Sequence, residues 1–138
     1  MEESLRKKAA ESADELSGAV LAYAGDAVYE LLVRTWAVGN CPHRPDDLHR
    51  KVTDLVNAGT QAELLKRLLP LLSEEEAAVV RRGRNAKLKS AANHQSLSDY
   101  KKATGFEALI GWLYLKGRED RILELLKAGC PELSEDLL

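Results

Sequence analysis

The sequence predicts an all-α protein, and three observations predict it. Strand-like alternation of apolar and polar residues is nearly absent along the 138 residues. Leu, Ala, Glu, Lys and Arg, all good helix formers, dominate the composition. Apolar residues recur instead at three- and four-residue spacing, the period of a helix with one buried stripe. A chain of this length makes one domain with a single core, expected over about residues 14–128 with loosely ordered ends.

The elements follow in order. Residues 1–13 are charged and rich in Ala and Ser, a lead-in to the fold. Ser12 or Asp14 can cap the first long helix, which runs to about Val38 with Leu16, Val20, Tyr23, Ala27 and Leu31 as its buried stripe. Gly39 to Pro45 is a turn by its glycine and prolines. Asp46 and Asp47 then stand in the first turn of a second helix, where acids suit the helix dipole, and Leu48, Val52, Leu55 and Val56 form its stripe. Asn57-Ala58-Gly59 breaks that helix. Thr60 caps a third through Ala62, Leu64, Leu65 and Leu68, and Pro70 follows its end. Ser73 and Glu76 match a capping box for a fourth, which carries Ala77 and Val80. A polar bridge leads to Ser98, the cap of a last long helix from Asp99 to Leu115, with Phe106, Leu109, Ile110 and Leu113 on one face. Lys116-Gly117 ends it. A short amphipathic helix from about Arg118 to Lys127 precedes an acidic tail.

Two of these helices each embed an acid in an apolar run. In LAYAGDAVYELLV the acid is Asp26, directly after Gly25, with Glu30 four residues on and so on the same face. In ATGFEALIGWLYL it is Glu107, with Gly111 one turn away. Glycine inside a helix costs about 1 kcal/mol relative to alanine, so both positions suggest a close approach by another backbone. Helices crossing at those glycines would bring Asp26 and Glu107 together. Two carboxylates without basic partners repel, which raises a pKa or recruits a cation. Oxygen ligands of this kind suit Mg²⁺, with Mn²⁺ an acceptable substitute, and such an ion can activate water against a phosphodiester. The other reading left open is that each acid pairs with a Lys or Arg at a helix crossing.

Charge has to be read locally, because 20 basic residues against 22 acidic ones leave a net charge of only −2. The decade RRGRNAKLKS, Arg81 to Ser90, holds five basic residues and no acid. Arg81, Arg82, Arg84, Lys87 and Lys89 could neutralise several phosphates, and the absence of interleaved aromatics favours the backbone of a duplex over stacked single-stranded bases. The plainer alternative is a solvated face. No apolar run of about 18 residues and no basic-then-apolar start is present, so neither a membrane span nor a signal peptide is expected and the location is cytoplasmic. Cys41 and Cys130 lack C-x-x-C spacing and read as free thiols. His43, His49 and His94 lack metal-ligand spacing, and no Ser or Cys nucleophile has a motif around it.

Four stretches, AYAGDAVYELLVR, RPDDLHRKVTDLVNAGTQA, EEEAAVVRRGRNAK and YKKATGFEALIGWLYLKGR, together resemble Mini-ribonuclease III, the compact bacterial branch of the ribonuclease III family that lacks a separate double-stranded-RNA-binding domain. The resemblance runs from about Leu16 to Leu126. It implies an all-helical, homodimeric catalytic domain that cuts double-stranded RNA with Mg²⁺ and matures the ends of 23S ribosomal RNA, with a large-subunit ribosomal protein as a candidate accessory partner. Asp26 matches the aspartate of the family's E-F-L-G-D signature, and Glu107 the glutamate of its D-x-x-E-A-L-I-G motif. Ala22 replaces the signature glutamate and Thr104 the aspartate of the second motif, so the remaining ligands are open. Asp46 or Asp47 stands near the place of a further assisting carboxylate. Arg81 to Lys87, including Asn85, match an RNA-contacting segment.

The resemblance thus implies that Asp26 and Glu107 are catalytic metal ligands and that water attacks the phosphodiester, leaving a 5′-phosphate and a 3′-hydroxyl. Glu30 is either an outer ligand or a salt-bridge partner. Two alternatives remain at this point: a non-catalytic RNA-binding or ribosome-assembly protein on the same fold, and a helical adaptor for an acidic partner.

Overall fold

A computed structural model of the chain describes residues 2–41, 44–86 and 96–137. Among the described residues eight α-helices run in order: α1 Glu2–Ser12, α2 Gly18–Asn40, α3 Pro45–Val56, α4 Ala58–Leu68, α5 Glu74–Arg84, α6 Leu97–Leu115, α7 Glu119–Gly129 and α8 Pro131–Ser134. Single turns of 3₁₀ helix stand at Ala13–Glu15 and Leu69–Leu71, and the described residues contain no strand. None of the helices is long and apolar enough to cross a membrane.

α6 is the axis of the fold. From Ala103 to Leu113 every residue except Glu107 is buried, which is what an all-round apolar sequence requires of a helix in water. α2, α4 and α5 pack around it, and α7 lies across α4 and α6. Tyr29 of α2 meets Phe106 edge to face, ring centroids 5.0 Å apart, and donates its hydroxyl to the Leu55 carbonyl of α3 at 2.9 Å. One side chain therefore joins three helices. Arg121 of α7 performs a similar task, donating at 2.8 Å to both oxygens of Glu76 and at 2.8 Å to the Leu71 carbonyl.

Local chemistry sets most of the boundaries. The capping box at Ser73 and Glu76 is present in full. The other caps fall two to five residues from their expected places: Ser17 caps α2, Asn57 caps α4 by accepting from the Thr60 N–H, and Ser96 caps α6. In each case a neighbouring polar residue does the capping that was assigned to Asp14 or Ser12, Thr60 and Ser98. Gly117 takes a positive φ of 74° where the chain leaves α6. The ends are more structured than their composition suggests. Residues 2–12 form a helix, and Cys130 and Leu133 are buried against the core. Cys41 and Cys130 are free thiols.

The stripe on α2 is a correction. Leu21, Gly25, Tyr29, Val33 and Ala37 face the core, while Val20, Tyr23 and Leu31 are exposed, Tyr23 by 84%. α2 is apolar on two sides, and both sets of residues recur at helical spacing. The small residues settle which set turns inward, because Gly18, Ala22 and Gly25 admit a neighbouring backbone and Tyr23 does not.

Candidate active site

α2 and α6 cross with their backbones touching. A Cβ at Gly25 would stand 1.7 Å from the Glu107 carbonyl oxygen, and one at Gly111 would stand 2.0 Å from the Leu21 carbonyl oxygen. No side chain fits at either place. The crossing sets Asp26, next to Gly25, against Glu107, and the Asp26 carboxyl lies within side-chain hydrogen-bonding reach of it. Asp26 is exposed and Glu107 half-buried, so the pair sits at the mouth of the crossing, open on one side.

The electrostatics follow from that placement. Burial first, then the hydrogen bond and negative charge of Asp26, push Glu107 up to about 8. The Gln61 carboxamide of α4 acts the other way and favours the ionised form, although its Nε2 completes no hydrogen bond. No cation is among the groups that act on Glu107. Pairing of the two acids with Lys or Arg is thus not what the described residues show.

Glu107 with a raised pKa binds a proton more readily in the folded chain than in the unfolded one. Between its ordinary value of 4.5 and about 8, the folded state holds the extra proton, so stability falls as pH rises through that window. We expect the metal-free protein to lose about 5 °C of melting temperature between about pH 6 and pH 9, and Glu107→Gln to flatten that loss. Fluorescence-monitored melting in EDTA checks both.

The other acids stand apart from this pair. Glu30 is held by Arg34 at 2.7 Å, and Asp47 by Arg50 at 2.5 Å, while Asp46 is exposed. Thr104 is buried and donates its hydroxyl to the Tyr100 carbonyl at 2.9 Å. Ala22 is buried too. Among the described residues no three His, Cys, Asp or Glu side chains form a metal-holding group. What the pair offers is two carboxylates with no base between them and an unsatisfied amide beside one of them. That donor set fits a hard divalent cation such as Mg²⁺, which takes one or two carboxylates and leaves its other positions to water and phosphate oxygens.

The basic segment sits at the end of α5. Arg81, Arg84 and Asn85 are exposed there, and the Asn85 N–H closes the helix onto the carbonyls of Arg81 and Gly83. Arg82 is half-buried and donates to the Leu16 carbonyl, which ties α5 to the segment before α2. Lys87 and Lys89 lie outside the described residues, as do His43 and His94. Gly83 and Gly105 bring α5 and α6 into contact, with the Arg84 Cγ 2.8 Å from where a Gly105 Cβ would be. Gly105 precedes Glu107 by two residues, so the basic turn and the acid pair share one stretch of α6.

The Ribonuclease III domain family matches residues 19–118, a span that contains Asp26, Glu107 and the basic turn. The chain belongs to the ribonuclease III family. Its similarity to the Mini-ribonuclease 3 branch is close: the Mini-ribonuclease 3 of Brevibacillus brevis is 47% identical over 108 residues, covering 78% of this chain and 81% of that one. The Mini-ribonuclease 3 of Desulfitobacterium hafniense is 49% identical over 112 residues, covering 79% and 69%. The crystal structure of a Fusobacterium nucleatum protein matches with a TM-score of 0.74 at 32% identity, over 80% of this chain and 89% of the other. As a member of the Mini-ribonuclease III branch the chain is an endoribonuclease, and the helical frame around Asp26 and Glu107 is the family's.

Sequence reasoning passed over Gln61. A signal for it exists: it interrupts the inward stripe of α4, one helical turn from Ala58, Leu64 and Leu65, where an apolar residue is the ordinary choice.

Proposed function

We propose that this ribonuclease III-type enzyme cuts double-stranded RNA with Mg²⁺ held by Asp26 and Glu107, and that its cellular substrate is a 23S ribosomal RNA precursor in the cytoplasm. The observation that carries the reading is a carboxylate pair, unneutralised by any base among the described residues, on the stretch of α6 that an exposed basic helix end also contacts. When bound, the ion supplies a water of lowered pKa and positive charge at the scissile phosphate. Glu107, whose pKa is raised, would hold the ion as the carboxylate. Asp26, the exposed member, presents its carboxylate on the side from which a phosphate arrives. Arg81 and Arg84 meet backbone phosphates of the same duplex and carry no base preference. The products are a 5′-phosphate and a 3′-hydroxyl.

A homodimer completes the reading. Val20, Tyr23, Leu31 and Val38 form an exposed apolar band on α2, and Ala24, Ala27, Val28, Leu31 and Leu123 line a hollow within it. A contiguous apolar band of this kind marks a protein contact. Two-fold symmetry would set two acid pairs against the two antiparallel strands of one duplex. A large-subunit ribosomal protein is a further partner on this reading.

The test is cleavage of a long duplex RNA and of its separated strands. We expect the duplex alone to be cut, in Mg²⁺ and not in EDTA, with 5′-phosphorylated ends. Equal cutting of single strands, or cutting in EDTA, would overturn the proposal.

A further inference from the structure

Three polar or charged side chains are buried among the described residues: Glu76, Thr104 and Gln61. The first two are satisfied, Glu76 by Arg121 and Ser73, and Thr104 by the Tyr100 carbonyl. Gln61 is 2% exposed, and its Nε2 is the one buried side-chain nitrogen or oxygen among the described residues that finds no hydrogen bond. Buried amides left unpaired are disfavoured, and native proteins keep them where something outside the chain's resting contacts supplies the partner. The stripe around Gln61 does not need a polar group. Ala58, Ala62, Leu64, Leu65 and Leu68 fill the rest of it, and a leucine would fill the same volume without the unmet donor.

The place of Gln61 points to the partner. α4 packs on α6, and the Gln61 carboxamide faces the Glu107 side chain without completing a bond to it. Glu107 also faces the Asp26 carboxyl. A cation held by the two carboxylates would take the place of the proton between them and leave Glu107 fully charged, with an oxygen in need of a donor. The Gln61 carboxamide acts on that carboxyl from α4, and its Nε2 has a hydrogen to give.

We propose that Gln61 is a positioning residue of the metal site, whose buried Nε2 donates to the Glu107 carboxylate when a divalent cation takes the place of the proton between Glu107 and Asp26. The proposal rests on the assignment of Asp26 and Glu107 as metal ligands made above. It assigns Gln61 no contact with the RNA and no share in bond breaking. Its role is to hold one ligand oxygen in place, as groups behind metal ligands do, and such groups are worth about ten- to a hundredfold in metal affinity.

The test uses the full chain and Mn²⁺ alone, followed by electron paramagnetic resonance, for wild type, Gln61→Leu, Gln61→Met and Asp26→Asn. Melting in EDTA is recorded for each. Gln61→Leu and Gln61→Met, similar in volume and lacking the donor, are expected to melt at or above the wild-type temperature and to bind Mn²⁺ about tenfold more weakly. The Mg²⁺ concentration for half-maximal cleavage should rise by the same factor. If wild type binds Mn²⁺, Asp26→Asn does not, and both Gln61 variants bind as wild type, the Gln61 assignment is wrong and the metal site stands. If both Gln61 variants melt well below wild type in EDTA, the amide is a packing element and the proposal is equally overturned. If wild type fails to bind Mn²⁺, or Asp26→Asn binds it unchanged, the metal site itself falls and the proposal with it.

Discussion

Asp26→Asn and Glu107→Gln should each reduce cleavage of duplex RNA by about a thousandfold or more, without loss of fold. Each change keeps the shape of its side chain and removes the charge that would face a cation. The fold has no reason to suffer, because the wild-type pair opposes its own full ionisation: Glu107 is held well above its ordinary value by burial and by Asp26. Relieving it leaves the metal-free melting temperature unchanged or raised, most visibly above about pH 8. Single-turnover cleavage of a defined duplex, with melting in EDTA alongside, gives both numbers. Full activity in either variant would remove that residue from the metal site. Loss of activity with loss of fold would mean that the acids hold α2 to α6, the opposite of what their surroundings indicate.

Gly25→Ala is expected to be among the most damaging single-methyl changes in the chain, at about 3 kcal/mol or more. Its new Cβ would fall 1.7 Å from the Glu107 carbonyl oxygen, and backbone cannot move aside as the end of a side chain can. Gly111→Ala meets the Leu21 carbonyl at 2.0 Å from the other side of the same crossing and should behave alike. The helices must part, and the distance between Asp26 and Glu107 grows with them. Gly39→Ala is the control, since nothing lies within 4 Å of a Cβ there and the position is helical, so it should be neutral or slightly stabilising. Urea denaturation of the three variants ranks them. A Gly25→Ala protein as stable as Gly39→Ala would disprove the backbone crossing.

Much of this was legible because each clue was local. The helical class, the capping box at Ser73 and the two acid-bearing helices can be read from neighbours within a turn. The meaning of Gly25 and Gly111 could be read as well, since a glycine in a helix needs a reason and another backbone is the usual one. What escaped depended on contacts between distant residues. The inward face of α2 was misread because Leu16, Val20, Tyr23, Ala27 and Leu31 keep helical spacing as well as the residues that are buried. Arg82 reads like its neighbours in a basic run, and only the fold shows its guanidinium directed at the Leu16 carbonyl. Gln61 shows in sequence only as a polar break in the α4 stripe, and the fold alone places Glu107 near it.

The double-sided character of α2 has a consequence of mass action. Tyr23, Asp26 and Ala27 are successive exposed positions on one rigid rod, so the apolar band and the Asp26 carboxylate belong to the same surface. A ligand that covers the band stabilises the folded state in proportion to the logarithm of its concentration, and on the homodimer reading that ligand is the chain itself. The enzyme's robustness then becomes a function of how much of it is present. Dilution would act on the Asp26–Glu107 pair without touching either residue.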